Sequence, residues 1–276
     1  MMFWGSAFVL IALILPGLSP FFITGVRIIC GAATLYALAL ALSGPLPRTR
    51  EFWGWSALIG TFSVILSFTS YTWAQQHVPS GVVSIYIAAT PLFVILLSRL
   101  MTDERAARAQ TVGFIIGFLG VIFLIGPQTL SSFGADLAYE AAALFAAVAF
   151  AMSSTLVRRA PKYDPLHIAA GSVTAAAVIY LPLTIWTAPA AIPGWSVLGV
   201  IFILGAANSA VSQAIRIHLI RRAGAIFTSQ ATFLLPVWAL FLGWLILGET
   251  LSRNDAIGFA LILTGVAIAE FARKRV

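Results

Sequence analysis

Two sets of polar residues interrupt an apolar chain at helical spacing. Gly60, Ser63, Ser67 and Tyr71 follow one another at intervals of three, four and four residues, and Gly205, Asn208, Ser212 and Arg216 repeat those intervals. At 3.6 residues per turn, each set lies along one helix face. Hydroxyl, amide, phenol and guanidinium groups arranged this way offer neutral hydrogen bonds and a single positive charge. That chemistry recognises a small amphipathic or zwitterionic solute. Two further groups sit beside prolines: Tyr86 and Thr90 one turn apart before Pro91, and Ser229, Gln230, Thr232 and Trp238 around Pro236. Trp4 and Ser6, with Met152, Ser153 and Ser154, extend the candidate lining. Each of these residues has a competing structural use, because serine and threonine in apolar helices bond backbone carbonyls and neighbouring helices.

The elements that carry these residues follow from composition. Of 276 residues, 61% are hydrophobic and 9% charged, with a mean hydropathy of +1.00; soluble domains carry about 25% charged residues. So much apolar surface requires lipid as its solvent. A spanning helix needs about 20 mostly apolar residues, and ten such segments are expected, near 2–18, 20–42, 52–75, 79–101, 109–126, 136–157, 165–187, 195–217, 224–247 and 255–272. The expected fold is therefore an all-α integral membrane protein whose short loops leave no room for a soluble catalytic or nucleic-acid-binding domain. The first segment lacks a basic start and a small-residue cleavage site, so it is read as a helix and not a signal peptide. Cys30 is the only cysteine, which excludes an intrachain disulfide and a cysteine ligand set; no metal or cofactor is expected.

The net charge is +7. Threading ten spans through a bilayer gathers nearly all basic residues at one face, among them Arg48, Arg50, Arg105, Arg108, Arg158, Arg159, Lys162, Arg221, Arg222, Arg273, Lys274 and Arg275. The opposite face receives Arg253 alone, and Arg27 lies within a span. This bias predicts cytoplasmic N- and C-termini. It is a topology signal and not a nucleic-acid footprint.

A shift of 145 residues aligns the two halves without a gap. Pro20 meets Pro165, Gly60 meets Gly205, Pro91 meets Pro236, Glu104 meets Glu249, Gly113 meets Gly258 and Gly120 meets Gly265. Two units are expected, 1–131 and 132–276, each of five spans. Because five is odd, the second unit enters the membrane inverted, a construction used by carriers whose substrate site lies at mid-membrane between the repeats. Pro91 and Pro236 then fall near the middle of equivalent spans, where each removes a ladder hydrogen bond and bends the helix. Gly60 and Gly205 allow close backbone approach or bending.

The motifs FWGSAF (3–8), TGVRIICGA (24–32), DERAARAQTVGFIIGFLGV (103–121) and GETLSRNDAIGFALILTGV (248–266), the last two each following a proline-bearing helix, resemble the drug/metabolite transporter superfamily, specifically its EamA-type ten-helix exporters. The resemblance covers nearly the whole chain. It implies a bacterial inner-membrane exporter of small metabolites working by alternating access, similar to broad and aromatic amino-acid exporters. Here Tyr86 is followed by IAATP, whereas aromatic amino-acid exporters carry an aromatic pair just before the mid-helix proline. Other superfamily substrates, drugs, sugars and nucleotide sugars, form the alternative. The expected partners are an amino acid or similar amphipathic metabolite and the lipid bilayer, and a monomer is expected.

Arg27 reads first as a structural residue bonding exposed carbonyls, with gating as the second reading. Arg216 either snorkels to the surface or contacts a substrate carboxylate. All nine acidic residues fall in loops or within a turn or two of a membrane end, so none is placed at mid-span as a proton or sodium relay. Facilitated diffusion is therefore favoured over proton antiport through Glu140 or His167. The repeated acidic turn, Glu104 and Glu249, is read as capping and loop-fixing. An enzyme is disfavoured because the sequence carries no HExxH or GxSxG. A channel is disfavoured because it would need charged rings or carbonyl filters.

Overall fold

The computed structural model describes residues 2–125, 137–191, 193–238, 241 and 253–273. Glu249 of the second acidic turn lies outside them, as do Lys274 and Arg275. Every regular element among the described residues is helical: α1 (Met2–Ile14), α2 (Pro20–Leu42), α3 (Arg50–Ala74), α4 (Ser80–Met101), α5 (Arg108–Ile125), α6 (Leu137–Arg159), α7 (Pro165–Trp186), α8 (Trp195–Ala223), α9 (Ala225–Trp238) and α10 (Arg253–Arg273). Among these, α2, α3, α4, α6, α7 and α8 are long and apolar enough to cross a membrane. Leu40, Leu96, Leu119, Val178 and Phe202 stand on the outside of the bundle, an apolar exterior that suits lipid and not water.

Helix starts are set by local chemistry. The Asp164 carboxylate accepts from the backbone N–H of Leu166 at 2.8 Å and of His167 at 3.2 Å, and Pro165 occupies the first position of α7, where its missing N–H costs nothing. Thr49 caps α3 by accepting from Phe52 N–H at 3.3 Å. His167 lies in this capped turn, with Nε2 3.3 Å from the Gly44 carbonyl oxygen.

Packing is decided by glycine. A β-carbon at Gly60 on α3 would overlap the Ser172 carbonyl oxygen of α7, and one at Gly205 on α8 would collide with Cys30 and the Arg27 carbonyl oxygen of α2. Ser172 stands 145 residues beyond Arg27, as Gly205 stands beyond Gly60, so the two contacts exchange under one shift. A second pair does the same between α5 and α10. A β-carbon at Gly113 would come 2.6 Å from the Gly265 carbonyl oxygen, and one at Gly120 would come 2.9 Å from that of Gly258. Backbones approach this closely in lipid only where side chains are absent.

The two striped helices share a distortion. Each passes through a wide turn, Thr61–Leu66 in α3 and Leu204–Val211 in α8, whose backbone bonds reach five residues instead of four. Such turns loosen carbonyls from the ladder and often mark functional positions. Ser67 donates to the Phe62 carbonyl at 2.6 Å and Ser209 donates to the Leu204 carbonyl at 3.0 Å, in both cases from five residues on.

The proline helices break just before the proline. In α4 the α-helical pattern lapses at Ala89 and resumes at Thr90. Pro91 has no N–H for the Ile87 carbonyl, and the Thr90 hydroxyl donates to that oxygen instead, at 2.6 Å. In α9 the four residues before Leu234, Gln230–Phe233, tighten into a 3₁₀ turn.

Candidate functional site

Six helices enclose a central cavity. Its wall is built by Trp4, Ala7 and Phe8 from α1, Phe68 and Tyr71 from α3, and Ile87 and Thr90 from α4. It is completed by Phe150 and Ser154 from α6, Arg216 from α8, and Thr228, Ser229, Thr232 and Leu235 from α9. Aromatic rings form much of it: Trp4 lies 5.7 Å from Phe150, Phe68 6.0 Å from Phe150, and Phe8 and Phe68 lie 5.4 Å and 5.6 Å from Tyr71. In this conformation the centre of a water molecule can move through about 30 Å³. That is room for a water or two.

Arg216 is the one charged residue of the wall among the described residues. Its side chain is 5% exposed, so it does not snorkel. Nε donates to Gln213 Oε1 at 3.1 Å, one terminal nitrogen donates to Ser154 Oγ at 3.0 Å and the other to Ser153 Oγ at 3.0 Å. Both serine hydroxyls already donate to the Phe150 carbonyl, at 3.0 Å and 2.9 Å, so they meet the guanidinium purely as acceptors. Every one of these partners is neutral. A guanidinium has five N–H donors; three are used, leaving one on each terminal nitrogen. A buried charge balanced only by neutral groups keeps most of its attraction for an anion.

Arg27, also buried, is held differently. Nε donates to Ser209 Oγ at 2.7 Å, one terminal nitrogen donates to the Tyr71 hydroxyl, and the guanidinium carbon sits 4.1 Å above the Phe68 ring. The other terminal nitrogen has no hydrogen-bond partner among the described residues. Arg27 therefore stands behind the cavity wall, loading Tyr71 and Phe68 from the rear.

Of the residues singled out by sequence, Tyr71, Thr90 and Arg216 are brought together at the cavity, with Trp4, Ser154, Ser229 and Thr232. Others do structural work around it. Ser63 accepts from Gln213 Nε2 at 3.0 Å, tying α3 to α8, and Ser67 bonds its own helix. Trp238 donates from Nε1 to Ser6 Oγ at 3.1 Å and stacks on Phe241. Asn208 and Gln230 are buried outside the wall, and Ser212 is partly exposed on α8. Tyr86 donates to Glu140 Oε2 at 2.8 Å. Glu140 lies in the first turn of α6, at the helix end that hydropathy gave it, yet it is buried by the fold.

Sequence reasoning passed over Phe8, Phe68, Phe150 and Thr228. The three phenylalanines resemble lipid-facing residues by type. Thr228 belongs to no repeated pair, and only the position of α9 reveals it.

The basic end of the bundle is fastened by Glu104. Its carboxylate accepts from Ala225 N–H at 3.0 Å and Ile226 N–H at 3.2 Å, and pairs with Arg158 Nε at 2.7 Å. An anion at the start of α9 satisfies helix-end N–H groups and opposes the helix dipole. Gly224, at φ +97, makes the approach possible, since a β-carbon there would lie 2.8 Å from the carboxylate. Arg221 donates to the Ala160 and Pro161 carbonyls at 2.9 Å and 2.7 Å. At the other end of α1 lies a wider groove of about 410 Å³, lined by Leu13, Ile14, Leu18, Pro193 and Val197 among others.

Comparison with known proteins places this architecture. A helical bundle with an apolar exterior and a central cavity is the build of a multi-pass membrane protein, and a solved crystal structure matches it over 99% of this chain and 98% of its own, with TM-score 0.78 and 21% identity, which speaks to the fold alone. The model of the EamA-like transporter family matches residues 1–126 and 137–271, and the chain belongs to that family. It is 25% identical to the uncharacterized transporter YoaV of Bacillus subtilis, over 99% of this chain and 94% of that protein. Identity to the uncharacterized inner membrane transporter YedA of Escherichia coli is 27%, over 98% and 88%. A probable terminal-alkyne amino-acid exporter of Streptantibioticus cattleyicolor is 28% identical, over 96% and 89%.

Proposed function

We propose that this protein exports small metabolites, amino acids first among them, across the bacterial inner membrane by alternating access, with both termini in the cytoplasm. The observation that carries the substrate class is Arg216, buried at the cavity with donors to spare and only neutral partners. A carboxylate is a small anion that pairs strongly with guanidinium N–H groups, and the rings of Trp4, Phe8, Phe68 and Phe150 suit an apolar side chain. The probable terminal-alkyne amino-acid exporter among its relatives supports the same class.

The reading includes two five-helix units of opposite polarity. The exchange of glycine contacts under the 145-residue shift supports it, as do the wide turns ending at Leu66 and Val211, which stand at that same offset. Alternating access is supported by the difference between the ends, one fastened by Glu104 and the other grooved.

Reconstitution into proteoliposomes tests this. Internal unlabelled L-leucine or L-phenylalanine should drive saturable uptake of the labelled compound, and Arg216→Gln should lower that exchange by about tenfold or more, the size of a lost charge-assisted hydrogen bond. Exchange of tetraphenylphosphonium with none of either amino acid would overturn the substrate class.

A further inference from the structure

Four hydroxyls of the cavity, on α4 and α9, are polarised by their own helices. Thr228 donates to the Gly224 carbonyl at 2.7 Å, Ser229 to the Ile226 carbonyl at 2.8 Å, Thr232 to the Ser229 carbonyl at 2.7 Å and Thr90 to the Ile87 carbonyl at 2.6 Å. A hydroxyl has one proton, and in all four that proton is committed to backbone. What each has left is an oxygen lone pair. All four residues line the cavity, and all come from α4 and α9, whereas Arg216 and its serines come from α8 and α6.

We infer that Thr90, Thr228, Ser229 and Thr232 form an ammonium subsite, so that a transported amino acid is held at two points, carboxylate on Arg216 and ammonium on these oxygens. This rests on the amino-acid reading above and adds to it which wall takes which end. The complementarity is strict in donors and acceptors. An ammonium group has three donors and no acceptor, and a carboxylate has acceptors only. The hydroxyl wall attracts the first and repels the second, while Arg216 does the reverse. No Asp or Glu lines the cavity among the described residues, so neutral oxygens are the groups available to the ammonium. The aromatic faces are partly engaged: Phe68 lies under Arg27 at 4.1 Å and Phe150 lies 5.9 Å from Arg216.

Two-point recognition sets a selectivity rule. A solute lacking either charged end leaves one wall unpaired and binds weakly. Competition against labelled L-leucine counterflow measures this, using 4-methylpentanoate, which lacks the amine, and 3-methylbutylamine, which lacks the carboxylate. Each should need about ten times the concentration of leucine for equal inhibition, as expected for one lost hydrogen-bonded charge. Thr228→Val and Thr232→Val should raise the half-saturation for leucine severalfold and leave inhibition by 4-methylpentanoate unchanged, while Thr232→Ser, which keeps the oxygen, restores it.

Equal inhibition by leucine and 4-methylpentanoate removes the subsite and leaves the amino-acid reading standing. So does a valine variant that weakens both compounds alike. Absence of any leucine or phenylalanine counterflow removes both. The competition arm uses the unaltered protein, so it decides the matter even where a valine variant does not fold.

Discussion

Helices α3 and α8 carry the same stripe, and the two ends of that stripe behave differently. At the glycine end they are alike: Gly60 presses on the Ser172 carbonyl and Gly205 on the Arg27 carbonyl, and each helix then enters a wide turn. At the cavity end they differ. Tyr71 presents a phenol held from behind by Arg27, while Arg216 presents a cation resting on Ser153 and Ser154. Backbone contact tolerates one solution, since only glycine permits it, and glycine stands at both positions. Under the amino-acid reading proposed above, a substrate with two unlike ends meets unlike groups where the two stripes reach the cavity.

The largest effect should come from filling the glycine contacts. Gly60→Leu and Gly205→Leu should each abolish the monodisperse peak in detergent gel filtration, because overpacking against backbone costs well beyond the roughly 1–3 kcal/mol of a tolerated core insertion. Gly17→Leu, where a β-carbon meets nothing within 4 Å, is the control. Tolerance of one replacement and not the other would break the likeness of the two contacts. Next in size is the cavity end. Tyr71→Phe should reduce exchange about threefold to tenfold, the roughly 0.7–1.4 kcal/mol that one hydrogen bond contributes net, against the greater loss in Arg216→Gln. Arg27→Lys should reduce exchange at least as much as Tyr71→Phe, and the two should combine to less than their sum because they share the Arg27–Tyr71 contact. Additive losses would give Arg27 a role apart from Tyr71.

Smaller again is the fastening at the basic end. Glu104→Gln should lower the thermal midpoint by a few degrees, in keeping with about 0.5–2 kcal/mol for a helix cap. Arg158→Ala should cost less, since that partner is 42% exposed and such pairs are worth about 0–1 kcal/mol. Of similar size is Ser67→Ala, which removes a bond within one helix and should cost about 1 kcal/mol.

The candidate site was only partly legible in advance. Tyr71, Thr90 and Arg216 could be named because polar groups at helical spacing in an apolar chain are few. Arg27 was visible as a charge within a span, but its link to Tyr71 crosses 44 residues and its link to Ser209 crosses 182. Glu140 looked like a helix-end carboxylate, and burial came from its neighbours. Glu104 was read as a cap, yet the helix it caps begins 121 residues later.

By itself the sequence determined that the chain is helical, that its solvent is lipid, and that prolines and glycines recur at a fixed offset, because hydropathy, helical period and backbone chemistry are local properties. Only the tertiary structure decided which of the polar residues surround a common cavity, since a polar side chain in lipid must find a partner and several helices were within its reach. It also decided the direction of each hydroxyl: the type of residue supplies both a donor and an acceptor, and the surrounding carbonyls determine which one is left for a ligand.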